Sequence, residues 1–459
     1  MYFFMAQLIK IKKGLDINLK GKAKNIVLKP LKSKLYCINP DDFIGLVPKI
    51  LIKIGDKVQA GTALICDKKH SSVKVVSPVS GEVVEINRGE KRKLLSIIIE
   101  ADDETDYLDF GRKKVSDLSA DDIVQGLSQA GILPFIRQRP YDIVANPEDS
   151  PRDIFISGFY SAPLSPDLEF ILKGEETDFQ TGLDALAKLT KGKVHLGLNN
   201  HCVIAALKYA KHVEINTFEG PHPSGNVGVQ INKIKAIDKG ETVWVINPAD
   251  VLFIGRLFNK GTADFSRLIA LTGSEVKETG YHKTIIGVNI QDIVKDNVST
   301  ELNLRYISGN VLTGAKISEQ GYLRATDNQV TVIPEGDDNN EFFGWASLGL
   351  DKFSNSRTYF SWILNPLGSK EYQIDARIKG GTRAMIMSDE YDKVFPMDIY
   401  PEFLLKAIIA FNVDKMEALG IYEVAPEDFA LCEFVDTSKI EIQKIVRMGL
   451  DLLYKEMND

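Results

Sequence analysis

Cysteine is scarce in this chain. Cys37, Cys66, Cys202 and Cys432 are the only four among 459 residues, and no two of them form a CxxC pair. Such spacing favours neither a disulfide framework nor a zinc ribbon, and a reducing cytosol is the simplest compartment. Apolar runs are also short, and none reaches the roughly 18–20 residues that a membrane-spanning helix requires. The sequence therefore predicts no transmembrane helix.

Positive charge is not in excess either. Lys and Arg number 56 against 63 Asp and Glu, which gives a net charge of −7. A general nucleic-acid binder needs clustered positive charge, so that partner class is excluded. Apolar residues make up 44% of the chain and charged residues 26%, as in a soluble globular protein. At about 150 residues per domain, the length predicts roughly three domains.

Several catalytic signatures are missing. The chain has no GxSxG, HExxH or GxxxxGK[ST] motif, so hydrolase, zinc-protease and P-loop ATPase functions have no local support. His195, His201, His212 and Cys202 lie close in sequence, but none has the spacing that places two ligands on one helical face. We expect no metal site.

Residues 43–100 consist of short β-branched runs that alternate with turns. Their pattern, xVGDxVxxGxxL followed by SPxxGxV, resembles the barrel-sandwich fold of lipoyl and biotinyl carrier domains. Lys68 and Lys69 lie near the hairpin tip where a carrier presents its modified lysine, but no MKM triplet is present. We expect the fold without its cofactor. A lipoyl or biotin carrier protein is the alternative, and intact mass would reveal the modification.

The middle of the chain is predicted to be an α/β domain. An acidic connector at 102–106 precedes a helix that Ser119 caps. Strand-like runs then alternate with helical patterns at Gly182–Thr190 and Val203–Lys211, which is typical of an open α/β sheet. The strand-like runs are DIFISGF, KVHLGL, HVEINTF, TVWVINP and VLFIG.

The C-terminal third changes character twice. Short strands between Ser274 and Pro334 predict a β-grasp-like module, and helical periodicity returns in Pro401–Phe411, Lys415–Leu419 and Ile440–Glu456. The fold class is therefore multidomain α/β. The predicted units are an N-terminal segment with the barrel-sandwich module (1–105), a Rossmann-like α/β domain (106–273), a β-grasp-like module (274–335), an irregular connector (336–394) and a C-terminal helical domain (395–459).

Two segments are candidates for ligand binding. The first is a Gly- and Pro-rich loop after the strand-like VEINTF, in which glycines allow close backbone approach. It either contacts a ligand or partner or is a rigid connector, and its candidate residues are Gly220, His222, Ser224, Gly225, Asn226 and Gly228. The second segment, Phe135–Tyr141, combines aromatic rings with two guanidinium groups, which suits a planar carbonyl-bearing ligand or an inter-domain or inter-subunit contact.

Several blocks spread over nearly the whole chain resemble the A subunit of the sodium-translocating NADH:quinone reductases. The blocks are IKIKKGLD (Ile9–Asp16), DKK (Asp67–Lys69), SPVSGEVVEINRGEKR (Ser77–Arg92), FEGPHPSGNVG (Phe218–Gly228), INPADVLFIGRLF (Ile246–Phe258), RYISGNVLTG (Arg305–Gly314), FFGW (Phe342–Trp345) and EDFALCEFVD (Glu427–Asp436). Their order along the chain makes coincidence improbable.

The resemblance implies a peripheral subunit on the cytoplasmic face of the bacterial inner membrane. It would dock on integral and flavin-bearing subunits of a complex that uses NADH, flavins, iron-sulfur and quinone and exports Na⁺. The layout is similar to the NADH-binding flavoprotein subunit of respiratory complex I. That relative's flavin-binding glycine loop is missing, and Asp436 and Thr437 replace the second cysteine and the proline of the family's CTFVCP pattern. We expect no cofactor bound by this chain.

A quinone-contact role has also been proposed for the family, in two segments that match residues 42–46 and 135–141. The implied contact residues are Phe43, Leu46, Phe135, Arg137, Arg139 and Tyr141. One rival, a subunit of a ferredoxin-oxidising electron-transport complex, would carry CxxCxxC cluster motifs, which are absent. Another, a free flavoprotein dehydrogenase, would be yellow when purified.

Overall fold

The computed structural model describes residues 8–31, 33–299, 301–337, 348–364 and 370–458. The Phe342–Trp345 block lies outside these ranges. The strands are β1 (Leu8–Lys10), β2 (Leu35–Ile38), β3 (Pro48–Ile50), β4 (Lys57–Val58), β5 (Ala63–Asp67), β6 (Lys74–Val76), β7 (Gly81–Arg88), β8 (Leu94–Ala101), β9 (Ile136–Arg139), β10 (Ile143–Val144), β11 (Ile154–Ser157), β12 (Val194–Asn199), β13 (Glu214–Glu219), β14 (Val243–Ile246), β15 (Ser266–Thr272), β16 (Gly280–Ile285), β17 (Leu304–Ser308), β18 (Ala315–Ile317) and β19 (Gln329–Pro334).

The helices complete the chain. They are α1 (Ala120–Gln129), α2 (Leu168–Leu172), α3 (Glu176–Ala187), α4 (Ala205–Lys208), α5 (Val227–Lys235), α6 (Val251–Lys260), α7 (Ile290–Val294), α8 (Ser361–Leu364), α9 (Tyr391–Val394), α10 (Pro401–Ile409), α11 (Val413–Ala418), α12 (Ala430–Val435) and α13 (Ile442–Asn458). Within the described residues, no helix is both long and apolar enough to cross a membrane.

A seven-stranded sheet forms the centre of the molecule, with strand order β1-β13-β12-β11-β14-β9-β10. The first five strands in this order run parallel, and the β9–β10 hairpin completes the sheet in antiparallel fashion. The edge strand β1 comes from the start of the described chain, where Leu8 is in register with Thr217. The sequence prediction of an open α/β sheet is confirmed.

One predicted strand in this region is wrong. The VLFIG run at 251–255 begins α6, whose residues from Val251 to Phe258 are all buried. A five-residue apolar run such as VLFIG cannot be told from a buried strand by pattern alone. The left-handed Gly261 that ends the helix is the sequence signal that would have identified it.

The barrel-sandwich region contains a four-stranded sheet, β2-β8-β7-β4, and a three-stranded sheet, β3-β5-β6. Lys68 and Lys69 lie in the turn between β5 and β6, as expected for the tip of a carrier hairpin. The Lys69 ammonium donates to the Tyr454 hydroxyl on α13 at 3.1 Å and also lies 4.8 Å from the centre of that ring. The tip therefore contacts the C-terminal helix.

The remaining parts pack around the α/β sheet. A five-stranded sheet has the order β16-β15-β19-β17-β18 and mixes antiparallel with parallel pairs. Helices α10 and α13 lie in the C-terminal stretches predicted to be helical. Their buried side chains, among them Leu404, Ile408 and Leu450, belong to one apolar cluster together with Ile11 and Phe218 from the α/β sheet side.

The N-cap predicted at Ser119 is present at the beginning of α1. Ser119 accepts from the Asp122 amide, and the Asp122 carboxylate accepts from the Ser119 amide, which forms a capping box. We expect Ser119→Ala to lower the free energy of unfolding by about 1 kcal/mol, because an amide of the first helical turn loses its acceptor. Urea denaturation would measure the change. Ser116→Ala, which removes an exposed hydroxyl before the helix, should have no comparable effect, and equal losses would refute the capping role.

Candidate functional site

A cleft of about 510 Å³ opens at the carboxyl edge of the central sheet. Ser157 at the end of β11 and Ile246 and Asn247 at the end of β14 form part of its lining. Because β9 runs antiparallel to β14, residue 135 just before β9 reaches the same edge. In open α/β sheets this edge is where ligands bind.

Four separate parts of the structure line the cleft. The barrel-sandwich region contributes 41–44, and the α/β sheet contributes the ends of its strands and the loop that leads into α5. The five-stranded sheet contributes 309–313 and 324–329. The C-terminal helical region contributes residues 426 and 427 and two side chains of α13, Gln443 and Arg447.

Three of the sequence-predicted quinone residues meet here. Phe43 and Phe135 line the cleft, and their rings pack edge to face with centroids 5.5 Å apart. Phe135 also packs against Phe253 and Phe265, so both cleft rings are almost entirely buried. Arg137 is the cationic lining residue beside them, with a side chain that is 39% exposed.

The other three quinone residues lie elsewhere. Leu46 and Tyr141 line a second cavity, of about 260 Å³, between the barrel-sandwich tip and the end of α13. Val144 borders both cavities, so the two are separated by the 43–46 and 141–144 segments. Arg139 lines neither of them.

Arg139 is fully buried in an ion-pair cluster. Its guanidinium donates to Asp428 at 2.9 Å and to Glu427 at 2.6 Å, and Asp428 is buried completely as well. Burial lowers the pKa of Arg139, but the two carboxylates raise it by more, so the residue stays charged. The pair joins β9 to the turn before α12, across nearly 290 residues of sequence.

The Gly- and Pro-rich loop is anchored on three sides. His222 contacts Ser161 through Nδ1 at 2.9 Å, and the Ser161 hydroxyl also accepts from the Gly225 amide. The His222 amide donates to Asp16, and Asn226 donates to the Glu427 carbonyl. Burial lowers the pKa of His222 to about 4, so the imidazole is neutral near pH 7.

Only part of this loop faces the cleft. His222, Gly225 and Asn226 line it, while Gly220, Ser224 and Gly228 form the structure behind. The Ser224 hydroxyl donates to the Gly220 carbonyl at 3.0 Å, which closes the loop on itself. The structure thus gives the loop a connecting role and a lining role at once.

Gly228 is required by the buried ion pair. A Cβ atom at this position in the first turn of α5 would lie 2.3 Å from an Asp428 carboxylate oxygen and 2.4 Å from Arg139 Nη1. Neither the Asp428 carboxylate nor the Arg139 guanidinium can move away from such a Cβ without weakening the salt bridge between them. The glycine therefore lets the beginning of α5 approach the Arg139–Asp428 pair.

Polar side chains that the sequence analysis did not select complete the cleft. Tyr160 donates to Asn247 at 2.6 Å and accepts from Asn328 at 3.0 Å, which ties the α/β sheet to the five-stranded sheet. Burial raises the pKa of Tyr160, so it stays a neutral donor. The sequence signal that could have identified Asn247 as a cleft residue is its position directly after the buried strand β14.

Among the described residues, no group of three or more His, Cys, Asp or Glu side chains is arranged to hold a metal ion. Cys432 is buried. Asp436, at the position of the family's second cysteine, accepts from the Tyr391 hydroxyl at 2.8 Å and from the Ser438 and Ile440 amides. It is a structural acceptor.

Family models and curated relatives match most of the chain. Family models match residues 9–102 as the NqrA N-terminal barrel-sandwich hybrid domain, 118–263 as the NqrA second alpha/beta domain and 268–319 as the NQRA C-terminal domain. The A subunit of the Na(+)-translocating NADH-quinone reductase of Neisseria meningitidis serogroup A is 34% identical over 457 residues, which are 98% of this chain and 100% of that protein. The chain belongs to this NqrA family.

Other relatives extend the match. The corresponding NqrA proteins of Histophilus somni (strain 129Pt) and Haemophilus influenzae (strain PittEE) are 34% and 35% identical, each over 98% of this chain and 100% of their own length. Among solved structures, a chain of an air-oxidized NAD⁺-reducing [NiFe]-hydrogenase aligns with 49% of this chain and 48% of its own, at 14% identity and a TM-score of 0.35. That likeness is too low to support any inference. The barrel-sandwich and α/β predictions are confirmed by the family models.

The contact at Gly228 yields a stability prediction. We expect Gly228→Ala to lower the free energy of unfolding by about 1–3 kcal/mol, because the added methyl group overpacks the Arg139–Asp428 pair. Gly126→Ala in α1 is the matched control, since its Cβ would meet nothing closer than 3.8 Å. That change should stabilise the protein by about 0.5–1 kcal/mol. Urea unfolding of both variants measures the difference, and equal effects would contradict the packing argument.

Proposed function

We propose that this chain serves as a peripheral subunit of a Na⁺-translocating NADH-quinone reductase complex and that its cleft contacts the quinone. The observation that carries the proposal is the convergence of Phe43, Phe135 and Arg137, from two segments about 90 residues apart, on one cleft. Both segments match regions to which the family resemblance attributes a quinone contact. The curated relatives are named as subunits of an NADH-quinone reductase.

The charges of the cleft favour a neutral ligand over a nucleotide. Six acidic side chains line it against three arginines, and most of these groups already form salt bridges, so few cations are left to pair with a pyrophosphate. The first turn of α5 follows a parallel strand, as does the helix that binds phosphate in dinucleotide-binding folds. Here the Asp428 carboxylate lies against that turn, beside Gly228. A quinone ring carries no charge and meets neither obstacle.

Each lining group has a role toward a quinone that its chemistry allows. The Phe43 and Phe135 rings give an apolar, aromatic wall against which a flat ring packs. The Arg137 guanidinium has donors for a carbonyl oxygen, although it also pairs with Asp142 at 3.0 Å. In this proposal the chain binds and orients the quinone, and the electrons come from the cofactor-bearing subunits of the complex.

Docking on integral and flavin-bearing subunits at the cytoplasmic face is part of the same proposal. An exposed apolar patch on and around α10 supports a protein contact, since Tyr400, Phe403 and Phe411 are 70%, 52% and 62% exposed. The Rossmann-like, β-grasp-like and C-terminal helical labels, with the boundaries given above, likewise belong to the proposal.

Replacement of Arg137 tests the quinone contact. We expect Arg137→Ala to weaken the apparent affinity of the assembled complex for quinone by about tenfold, the size of one lost charge-assisted hydrogen bond. Arg137 is preferable to Phe135 as a target, because Phe135 lies in a buried ring cluster whose truncation would destabilise the fold.

Arg88→Ala is the control for this measurement. Arg88 is an exposed arginine on β7 outside the cleft lining, and its guanidinium donates to the nearby Arg92 carbonyl. Its replacement should leave quinone affinity unchanged. Identical affinities for the Arg137 variant, the Arg88 variant and the unchanged complex would remove the quinone contact from this chain.

A further inference from the structure

The acidic side chains of the cleft are not equivalent. Five of the six form salt bridges with a nearby cation, and Asp42 is the sixth. The pairs are Asp41 with Lys93 at 2.6 Å, Asp142 with Arg137 at 3.0 Å, Asp250 with Arg267 at 2.7 Å, Asp327 with Arg324 at 2.7 Å and Glu427 with Arg139 at 2.6 Å. Among the described residues no Lys, Arg or His lies within salt-bridge distance of Asp42.

Asp42 is held in place by the backbone. It ends the short turn Pro40–Asp42, directly before Phe43, and its Oδ2 atom accepts from the Ala325 amide at 2.9 Å. This single hydrogen bond links the barrel-sandwich region to the loop before β19. The side chain is partly buried and lines the cleft next to the Phe43 ring.

The charged and titratable neighbours of Asp42 come from three elements. Arg324 and Asp327 face it from the loop before β19, and they pair with each other. Asp41 precedes it and pairs with Lys93. Cys37 on β2 is a neutral neighbour, because burial raises the pKa of its thiol to about 12.

This environment favours the protonated carboxyl. Burial raises the pKa of Asp42 to about 7, with Asp327 adding to the shift while the Ala325 amide and Arg324 oppose it. A group with a pKa near the working pH is suited to hold a proton and release it. The protonated carboxyl also offers an O–H donor, which an ordinary aspartate at neutral pH does not.

We propose that Asp42 holds a proton at the cleft, donates it in a hydrogen bond to a carbonyl oxygen of the bound quinone, and passes it to that oxygen when the quinone is reduced. The proposal deepens the quinone contact proposed above and rests on it. Arg137 and Asp42 would then serve as two donors for a ring whose carbonyl oxygens accept.

The proton and electron balance is simple. Reduction of a quinone to its hydroquinone takes two electrons, which NADH supplies in the family's activity, and two protons. In the step assigned to Asp42, the carboxyl O–H bond breaks and an O–H bond forms on one quinone oxygen. The resulting carboxylate takes a proton from water and is ready for another cycle. The second proton comes directly from solvent through the open side of the cleft.

Binding of a short-chain, water-soluble ubiquinone to the full-length chain tests the first half of this proposal. If only the protonated form binds well, apparent affinity should fall about tenfold between about pH 6 and pH 8, following the protonated fraction of a group with pKa near 7. In Asp42→Asn the amide is neutral at every pH and keeps both an acceptor for Ala325 and a donor for the quinone. Its affinity should stay constant over that range.

Asp41→Asn is the matched control. Asp41 is the adjacent cleft-lining aspartate but is neutralised by Lys93, so its variant should retain the tenfold fall. Thermal unfolding of each variant at both pH values verifies that the fold is intact. A pH profile that is identical in the unchanged chain and in Asp42→Asn overturns the assignment to Asp42.

The outcomes separate this inference from the one on which it rests. Absence of quinone binding at every pH, or binding that Arg137→Ala does not weaken, refutes the quinone contact itself. Binding that Arg137→Ala weakens, with no pH dependence attributable to Asp42, refutes only the proton role. In the assembled complex, the proton transfer predicts that Asp42→Asn slows quinone reduction without weakening quinone affinity, since the amide donates a hydrogen bond but gives up no proton. An unchanged rate contradicts it.

Discussion

The buried ion pair between Arg139 and Asp428 is the constraint on which the site depends. A guanidinium without solvent is tolerated only when carboxylates neutralise it, so β9 and the turn before α12 must meet at this point. Their meeting leaves no room for a side chain at Gly228, which lets the first turn of α5 approach the pair. The back of the cleft is thereby fixed by charge neutralisation rather than by apolar packing.

The same pair decides which ligands the cleft suits. Doubly wound sheets bind phosphates at the beginning of a helix that follows a parallel strand. In this chain an internal carboxylate lies at that place, and most of the surrounding acidic groups are paired with arginine or lysine. The rest of the lining includes two largely buried aromatic rings, a few hydrogen-bond donors and a carboxyl group that has no counter-ion among the described residues. That combination is the basis of the proposed quinone contact.

Local features were predictable from the sequence, and long-range ones were not. The beginning of α1 was predictable from Ser119, because an N-cap and its acidic partner are only three residues apart in the sequence. The strand predicted at VLFIG was wrong because a five-residue apolar run does not distinguish a buried strand from a buried helix. The segment around Phe135 was selected from its residue types, and the one around Phe43 only from the family resemblance. Their contact depends on packing between regions about 90 residues apart. Only the positions of the arginine and lysine side chains in the structure show that Asp42 has no counter-ion within the described ranges.

The contact between Phe43 and Phe135 has a mechanical consequence. Phe43 belongs to the barrel-sandwich region and Phe135 to the entrance of β9, and their rings meet edge to face at the cleft wall. Any rotation of the barrel-sandwich relative to the central sheet must slide one ring across the other and stretch the link between Asp42 and the Ala325 amide. The shape of the cleft therefore depends on the orientation of the barrel-sandwich region relative to the central sheet.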